Sequence, residues 1–380
     1  MVIAIDIRLI GKKRTGDETV FRHLTRELVK LEKEATILLL TDETDPEKIE
    51  VLERELGTVG RENAEVVSLG RSDRYRWNLF VVARFLWSRQ VDVFHTQYIL
   101  PFFVPKRTRL FAHVHDISFR VFPELIGWKD RLFLSLLIPR TMRLADRIIA
   151  VSEFTKAEIM KRYGVAADRI VVVPNAVSDA FLSGATAADI ARVRERYSLP
   201  ERFVLAIGTM QPRKNIPFLI RVFAETRRRI PDLRLVLVGK RYGYRYDADI
   251  DAAEAQCGVG EEVLFLGYVE DEDLPALYAS ARVFVFPSLY EGFGIPILES
   301  FSQGTPVVAT DIPPLREVGG DALLFFSGSD IASASEILYN AAIDENLRSR
   351  LSERGKMRLS SFSWEKSARV LQKLFRDRGK

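Results

Sequence analysis

The chain has 380 residues, which is enough for two domains of ordinary size. Hydrophobic residues make up 47% and charged residues 28%, as in globular proteins, and no apolar run reaches the roughly 18 residues that a membrane span requires. The single cysteine, Cys257, excludes a framework of intrachain disulfides. Because the first residues resemble a strand with no basic region before it, we do not expect a signal peptide, and we expect a cytoplasmic location.

Short apolar segments alternate with helical segments along the whole chain. In the first half the predicted strands are Val2–Ile7, Ala35–Leu40, Val91–His95, Leu110–His115, Arg147–Val151 and Ile170–Val173. In the second half they are Phe203–Ile207, Leu233–Val238, Val263–Leu266, Val283–Phe286, Pro306–Ala309 and Leu323–Phe326. Short apolar strands separated by helices are typical of parallel sheets covered on both faces. Six predicted strands in each half, with a break after Pro174, indicate an α/β protein of two doubly wound domains rather than one barrel.

The loop after the first predicted strand contains Gly16, followed by the acidic residues Asp17 and Glu18. The whole segment, residues 11–19, also carries three basic residues. The acidic pair is expected either to receive a hydroxylated ligand or to cap a helix through Asp17.

Three histidines lie at the ends of predicted strands. His115 is the main candidate for a functional group, because a histidine at a strand end can hydrogen-bond a hydroxyl and change charge near neutral pH. The alternative is a structural histidine with its hydrogen bonds satisfied. His113 is expected on the opposite face of the same strand, and His95 is a weaker candidate on another strand.

Positive charge is concentrated between Val66 and Arg147, with 14 Lys and Arg against 6 Asp and Glu, although the whole chain carries only +4. Arginines and aromatic residues are interspersed there in two groups: Arg71, Arg74, Tyr75, Arg76, Trp77, Phe80, Arg84, Phe85, Trp87 and Arg89, then Trp128, Arg131, Phe133, Arg140, Arg143 and Arg147. This composition favours peripheral contact with an anionic membrane, here its inner face. The alternative is amphipathic helices with arginines in water and aromatic rings in the core. No nucleic-acid partner is expected, since no recognised nucleic-acid motif accompanies the charge.

The loop after the predicted strand Phe203–Ile207 begins at Gly208 and is basic. Arg213 and Lys214 lie just before a helix that Asn215 could cap. The turn after the first strand of a doubly wound domain is where phosphate groups bind. The planar donors of Arg and the compact charge of Lys together suit a diphosphate. The alternative is an ordinary basic loop.

The stretch Tyr290–Glu299 holds two glutamates, Glu291 and Glu299, eight residues apart. A turn between them leads into a helix with Pro296 in its first turn. Backbone N–H groups at such a helix start bind anions, and here they belong to Gly292, Phe293, Gly294 and Ile295. Glu299, one turn further on, could accept two hydrogen bonds from a ribose diol. This predicts a sugar-nucleotide site, against the alternative of a strand–turn–helix joint with two solvated glutamates.

This run resembles the E-x7-E motif of retaining glycosyltransferases with the GT-B architecture, in the large family 4 type that includes bacterial mannosyl- and glucosyltransferases. The resemblance covers essentially the whole chain and implies two doubly wound Rossmann-like domains that face a central cleft. Residues 1–177 would form the acceptor-side domain and residues 178–361 the donor-binding domain. A C-terminal helix within residues 362–380 would pack back on the first domain. Relatives usually carry two glycines close together after the first strand, where this chain has Asp17 and Glu18 beside Gly16.

The resemblance also implies roles for individual residues. Glu291 and His115 would approach the transferred sugar, and Arg213 and Lys214 would bind the diphosphate, so that these four form the catalytic group. The donor would be bound by Gly16, Gly208, Arg213, Lys214, Tyr268, Val269, Gly292, Phe293, Gly294, Ile295 and Glu299. In this set the backbone around Tyr268 and Val269 would hold the base, and Glu299 the ribose. No metal ion or other cofactor is expected, because the acidic run 247–251 fits a helix start better than a cation site.

The implied reaction is transfer of a hexose, with mannose as the first choice, from a nucleoside diphosphate sugar to a hydroxyl of a glycan or lipid-linked glycan. GDP-mannose is the expected donor, because residues 115–119 and the glutamate motif resemble mannosyltransferases most. UDP-glucose and UDP-N-acetylglucosamine stay open as donors. Two other classes also stay open: a sugar-nucleotide epimerase on the same fold, and a non-catalytic subunit that binds sugar nucleotide.

Overall fold

The chain folds into two α/β units, each built on a single sheet. The computed structural model describes residues 1–12, 16–243 and 245–377. One unit comprises Met1–Ala176 with Ser363–Lys380, and the other comprises Val177–Phe362. Each sheet is parallel throughout its paired strands. The predicted fold class, two Rossmann-like parallel-sheet domains, is confirmed.

The strands occupy the apolar segments of the sequence. In the described residues they are β1 (Val2–Asp6), β2 (Thr36–Thr41), β3 (Ala64–Ser68), β4 (Val93–Gln97), β5 (Arg109–Val114), β6 (Arg147–Ala150), β7 (Ile170–Val172), β8 (Phe203–Ile207), β9 (Arg234–Val238), β10 (Val263–Gly267), β11 (Val283–Phe286), β12 (Val307–Thr310) and β13 (Leu324–Phe326). The first sheet has the order β3-β2-β1-β4-β5-β6-β7 and the second β10-β9-β8-β11-β12-β13.

Helices connect the strands. They are α1 (Asp17–Leu31), α2 (Pro46–Leu56), α3 (Arg74–Arg76), α4 (Val82–Ser88), α5 (Ser118–Val121), α6 (Trp128–Leu144), α7 (Glu153–Tyr163), α8 (Asp179–Leu182), α9 (Ala187–Arg196), α10 (Ile216–Arg227), α11 (Asp249–Cys257), α12 (Leu274–Ser280), α13 (Ile295–Ser302), α14 (Pro313–Gly319), α15 (Ile331–Ile343), α16 (Glu345–Leu359) and α17 (Trp364–Arg376). A π-helical turn, Trp77–Val81, joins α3 to α4. Several helix starts follow capping chemistry, as where the Ser152 hydroxyl accepts a hydrogen bond from the Thr155 N–H at 3.0 Å.

The sequence prediction missed β3, so the expected six strands of the first sheet are seven. Among the described strands, β3 lies at the edge of the sheet and pairs with β2 alone. Its sequence contains Glu65 and Ser68, both exposed, and its valines are only partly buried. An edge strand buries too little apolar surface to produce the continuous apolar run that marked the other strands.

Each sheet reverses its strand order at one point, and that point positions the loops of interest. In the second sheet, β8 lies between β9 and β11, and Leu205 pairs with both Val236 and Phe284. In the first sheet, β1 lies between β2 and β4. Doubly wound sheets bind ligands where the order reverses, at the carboxyl ends of the strands. The loops after β8 and β11 therefore meet at the expected binding edge of the second unit.

Helix α17 follows the second unit in sequence but packs on the first. Its Arg376 pairs with Glu32 at 2.8 Å, and the Phe375 ring lies 4.9 Å from that of Phe111. Burial acts to raise the pKa of Glu32, but hydrogen bonds from Arg376 and from backbone N–H groups outweigh it and lower that pKa to about 2. Residues 378–380 of the predicted C-terminal segment lie outside the described residues.

Candidate functional site

The loop after β8 is held against the loop after β11. A short 3₁₀ turn, Pro212–Lys214, carries the two predicted diphosphate ligands Arg213 and Lys214. The Arg213 carbonyl accepts a hydrogen bond of 2.8 Å from the Leu289 N–H, which ties the two loops together. Lys214 is buried, and its side chain runs beside Gly208. The cationic pair is therefore fixed at the reversal point of the sheet.

Asn215 occupies the N-cap position of helix α10 as predicted, but the expected capping hydrogen bond does not form. Its amide instead donates to the Gly328 carbonyl at 3.1 Å, and its backbone has a positive φ of 54°. Asn tolerates this left-handed conformation, which turns the chain from the basic loop into the helix.

Gly239, at the end of β9, allows the close approach of backbone around the basic loop. A Cβ at this position would lie 2.0 Å from the Gly208 carbonyl oxygen. The Gly239 N–H also donates to the Gly267 carbonyl at 2.9 Å. Only glycine fits between these two backbones, so Gly239 fixes the position of Gly208. The sequence prediction did not include Gly239.

Glu291 forms a partly buried ionic cluster with both cations. Its carboxylate lies 2.5 Å from the Lys214 Nζ and 3.4 Å from the Arg213 Nη1. Burial acts to raise the pKa of Glu291, but the charges of Lys214 and Arg213 outweigh it, so the pKa is lowered and the carboxyl stays ionised. The three residues come from two loops that are 77 positions apart in sequence.

Helix α13 begins at Ile295, four residues after Glu291. Gly294 has φ 116°, and a Cβ there would lie 2.9 Å from a methyl group of Leu315. Phe293 is buried with its ring 5.6 Å from that of Phe362, so any ligand contact from Phe293 would use the backbone. Pro296 stands in the first turn, as expected. The N–H groups of a first helical turn lack intrahelical partners and carry the positive end of the helix dipole, which favours an anion.

Glu299 lies one turn inside α13 and is bound by a tyrosine. The Tyr278 hydroxyl donates to Glu299 Oε2 at 2.7 Å. Burial raises the pKa of Glu299 to about 7, although the hydrogen bond from Tyr278 acts to lower it. Tyr278 is fully buried on α12, and the sequence prediction missed it. It fixes one carboxylate oxygen and so orients the other.

The segment after β10 carries the two residues predicted at the nucleobase. β10 ends at Gly267, and the next residue, Tyr268, is exposed while Val269 is buried. The hydrogen bond from Gly239 to Gly267 joins this segment to the end of β9. The segment thus lies on the same edge of the sheet as the basic loop.

His115 is buried in unit one and hydrogen-bonded to Gln97. Its Nε2 lies 2.8 Å from Gln97 Oε1. The predicted orientation of His113 was wrong, because its ring stacks on that of His115 with centroids 4.7 Å apart. Residues two apart on a strand share a face, and that periodicity was available in the sequence. Burial lowers the pKa values of both His95 and His113, to about 3 for His95, so both rings stay neutral.

Gly16 precedes α1 as its N-cap residue, and Asp17 is the first residue of the helix. The capping role proposed for Asp17 is therefore wrong. Glu18 is buried and accepts hydrogen bonds from the Gly11 N–H at 2.9 Å and from Arg22. Its carboxylate thus holds the loop together. Lys13, Arg14 and Thr15 of the same loop lie outside the described residues.

The structure brings together part of the predicted set. Arg213, Lys214 and Glu291 are in direct contact, and Gly208 packs beside Lys214. The remaining donor-site residues of the second unit lie on neighbouring loops and on the first turns of α13, namely Tyr268, Val269, Gly292, Phe293, Gly294, Ile295 and Glu299. His115 and Gly16 belong to the first unit.

Across residues 1–12, 16–243 and 245–377, no group of three or more His, Cys, Asp and Glu residues could hold a metal ion. In that same part of the chain no helix is both long enough and apolar enough to cross a membrane.

Comparisons with known proteins identify the family. The family model described as Glycosyl transferases group 1 matches residues 189–358, and the model described as Glycosyltransferase Family 4 matches residues 14–181. The chain is 38% identical over 271 residues to O-antigen chain mannosyltransferase B of Escherichia coli, covering 70% of this chain and 69% of that protein. It is 34% identical over 192 residues to a GDP-mannose-dependent alpha-(1-6)-phosphatidylinositol monomannoside mannosyltransferase of Mycolicibacterium smegmatis, covering 48% and 49% of the two chains.

Solved structures share the fold over the whole chain. The Anabaena protein HepE, solved in complex with UDP and glucose, is similar with a TM-score of 0.74 and 19% identity, over 98% of this chain and 99% of that one. The chain belongs to the family 4 type of GT-B glycosyltransferases, and it is a glycosyltransferase. The family and the enzyme class indicated by the sequence are confirmed. The epimerase and the non-catalytic subunit are not favoured, because the relatives are named transferases.

Proposed function

We propose that this enzyme transfers mannose, with retention of configuration, from GDP-mannose to a hydroxyl of a glycan or lipid-linked glycan. The observation that carries the proposal is the cluster of Arg213, Lys214 and Glu291 at the reversal point of the second sheet, beside the start of α13. Cations and a helix N-terminus at one point suit a diphosphate. A carboxylate in contact with them suits the sugar attached to that diphosphate.

The choice of donor is supported by the relatives, which are named mannosyltransferases, one of them GDP-mannose-dependent. A UDP-sugar is the second choice, since a protein of the same fold was solved with UDP and glucose. Tyr268 and Val269 are proposed to flank the base, and Glu299 to bind the ribose. The free oxygen of Glu299 would accept a hydroxyl of the diol while Tyr278 holds the other oxygen.

Donor binding is proposed to rearrange the ion pair. The diphosphate would compete with Glu291 for Lys214 and Arg213, so that these cations neutralise the leaving group while the Glu291 carboxylate turns to the transferred sugar. Stabilising the charge that develops on the leaving diphosphate is the largest expected contribution to catalysis. His115 is proposed to hydrogen-bond a hydroxyl of the donor sugar, and Gly16 to approach the reacting phosphate. In this scheme the leaving phosphate accepts the proton of the acceptor hydroxyl.

The acceptor is proposed to be a growing surface polysaccharide or a lipid-linked glycan. The relatives are named for an O-antigen chain, which is a polysaccharide, and for a phosphatidylinositol monomannoside, which is a glycolipid. A cytoplasmic location with peripheral contact at the inner face of the membrane would bring the enzyme to such an acceptor.

Calorimetric titration with GDP, UDP, ADP and their common sugar conjugates tests the donor. GDP and GDP-mannose should bind wild type better than the other nucleotides. Glu299→Ala should weaken binding by about 1–3 kcal/mol, because the ribose hydroxyls lose a buried acceptor. Equal binding of all the nucleotides, or unchanged affinity in the variant, would contradict the proposed donor site.

Product analysis tests the reaction. GDP should be released from GDP-mannose only when a glycan acceptor is added, and the new bond should keep the anomeric configuration of the donor. An epimerase would convert the donor with no acceptor present. An inverted product would refute the retaining mechanism while leaving the transferase assignment in place.

A further inference from the structure

Helix α6 presents apolar side chains to the outside of the first unit. Trp128, Leu132 and Leu136 are 73%, 55% and 64% exposed. Their spacing of four residues places them along one face of the helix. The opposite face is also apolar and lies in the core, as shown by the buried Leu137, Ile138 and Met142. Because only one of the two apolar faces packs in the core, the other is expected to bind a partner.

The helical segment 74–88 has a similar outer face. Its Trp77 and Phe85 are buried, but Phe80 and Trp87 are 62% and 60% exposed. Arg84 lies between them and is exposed too. Some of the aromatic residues therefore face the core, and others face outward together with the arginines. Arginines and aromatic rings share one outward face, which contradicts the amphipathic alternative for this segment.

Contacts join the two helices and the loop after β4 into one region. The Tyr75 ring meets the Phe133 ring edge-on at 4.8 Å, and Arg74 pairs with Asp130. The Phe102 N–H donates to the Asn78 carbonyl at 3.1 Å. On the other side of the loop, the guanidinium of Arg140 lies over the Phe102 ring at 4.8 Å. We call the exposed residues of this region the basic–aromatic surface: Phe80, Arg84, Trp87, Phe102, Phe103, Trp128, Lys129, Arg131, Leu132 and Leu136.

The charge of this surface is positive. Within the described part of the chain, its cations Arg84, Lys129 and Arg131 form no ion pair and are exposed. The same holds for Arg89 and Arg143, which flank the surface at the C-terminal ends of the two helical segments. Asp130 is the acidic residue of the region's main helix, and it is neutralised by Arg74. A partner that covers this surface must therefore supply negative charge. A second copy of the chain would bring like charges together, which disfavours self-association.

We infer that the basic–aromatic surface docks on an anionic lipid bilayer. Tryptophan, phenylalanine and leucine enter the boundary between headgroups and acyl chains, while flanking Lys and Arg bind anionic headgroups. The long side chains of Lys and Arg allow their charges to reach the headgroups while their stems lie along apolar surface. The inference is independent of the proposed donor, because every residue of the surface lies in the first unit and the proposed nucleotide contacts except Gly16 lie in the second.

Co-sedimentation of the full chain with vesicles tests the inference. Wild type should bind vesicles of phosphatidylcholine with phosphatidylglycerol, and binding should fall as salt is raised, because exposed charges are screened. Pure phosphatidylcholine vesicles should bind at least about tenfold more weakly, since each cation near an anionic surface contributes about 1 kcal/mol. Absence of binding to anionic vesicles at low salt would overturn the inference, as would binding that neither salt nor lipid charge affects.

Matched variants separate this surface from the rest of the molecule. Trp128→Ser with Leu136→Ser should lower the partition coefficient at least about tenfold, since buried apolar area is lost. Met357→Ser, at an exposed apolar position of the second unit, should have no effect. Arg84→Glu with Arg131→Glu should abolish binding to anionic vesicles, whereas Arg350→Glu, at an exposed position of α16, should reduce it less than about twofold.

Two further readouts keep the test decisive. Nucleotide affinity should be the same in the surface variants as in wild type, because the second unit is unchanged. The titration therefore tests the proposed donor site separately from vesicle binding. Circular dichroism checks the folding of the serine variant. If that variant misfolds, the test depends on the charge-reversal variant, Arg84→Glu with Arg131→Glu. Sedimentation should show wild type as a monomer without vesicles. A dimer that dissociates in Trp128→Ser with Leu136→Ser would overturn the inference in favour of self-association.

Discussion

The carboxyl group of Glu299 should make donor binding depend on pH. Its pKa is raised to about 7 by burial, so it is largely protonated below that pH and ionised above it. The ionised form accepts two hydroxyl donors, whereas the protonated form loses an acceptor. Affinity for GDP-mannose should therefore rise between about pH 6 and pH 8, by at most about tenfold per pH unit. The ligand does not contribute to this change, because its diphosphate has no ionisation near neutrality.

Glu299→Gln is the control for that profile. The amide keeps the size of the side chain and one acceptor oxygen, but it does not titrate. Affinity should be lower at high pH and nearly flat across the same range. A profile that stays steep in the variant would assign the titration to another group and refute the role of Glu299.

Lys214→Ala should weaken binding of GDP by about 1–3 kcal/mol and leave the affinity for guanosine unchanged, because only GDP carries the diphosphate. Turnover should fall by a larger factor than affinity, since charge on the leaving group grows in the transition state. Titration with both ligands and steady-state kinetics measure these effects. The assignment to the diphosphate fails if guanosine is weakened equally.

Within the described part of the chain, removing Lys214 also leaves the partly buried Glu291 carboxylate with Arg213 as its remaining ionic partner, and this uncompensated charge would by itself repel a diphosphate. Lys214→Ala with Glu291→Gln removes that charge. If the double variant recovers GDP affinity without recovering turnover, the lost affinity came from the uncompensated carboxylate and the lost rate from the missing cation.

At the scale of the elements, the ends of β8 and β9 depend on Gly239. Gly239→Ala would place a methyl group 2.0 Å from the Gly208 carbonyl, so the basic loop must shift. The free energy of unfolding should fall by at least about 2 kcal/mol, and nucleotide affinity should fall with it. Gly260→Ala is the control, because a Cβ there meets nothing within 4 Å; it should change stability by less than about 0.5 kcal/mol. Urea denaturation and titration check both variants, and wild-type nucleotide affinity in Gly239→Ala would contradict the prediction.

At the scale of the whole molecule, α17 makes the stability of the first unit depend on the end of the chain. Phe375 is fully buried among aromatic rings that include His95 and Phe111. Phe375→Ala should destabilise by about 3–5 kcal/mol through the cavity it leaves. Hydrogen exchange should accelerate in β4 and β5 and stay unchanged in β8 and β11. The control Val370→Ala, at a more exposed position of α17, should have little effect.

Nucleotide binding provides the complementary perturbation. GDP should slow exchange in β8 and β11, since a ligand stabilises the unit that binds it, and should do so equally in wild type and Phe375→Ala. Equal acceleration of exchange in both units of the variant would show that they unfold together, and would contradict independent stability of the second unit.

Much of the fold followed from the sequence alone. The apolar strands have ends predicted to within about two residues, because a buried parallel strand must be apolar along its whole length. The glycosyltransferase family was also determined by sequence, since the loops after β8 and β11 carry their candidate site residues in compact local runs. The roles of individual residues in donor binding and catalysis remain predictions, which the variants above test.

Tertiary structure decided the contacts between distant residues. The pairing of Glu291 with Lys214 spans 77 positions, and that of Tyr278 with Glu299 spans 21, so no local pattern marks either. The edge strand β3 is defined by its pairing with β2 rather than by burial. Likewise, the mixed arginine and aromatic composition of residues 74–88 was visible in the sequence, but which rings face outward was fixed only when the helix packed on its unit. A local sequence pattern indicates whether an element is buried or exposed, whereas the partners of its side chains depend on how distant elements pack.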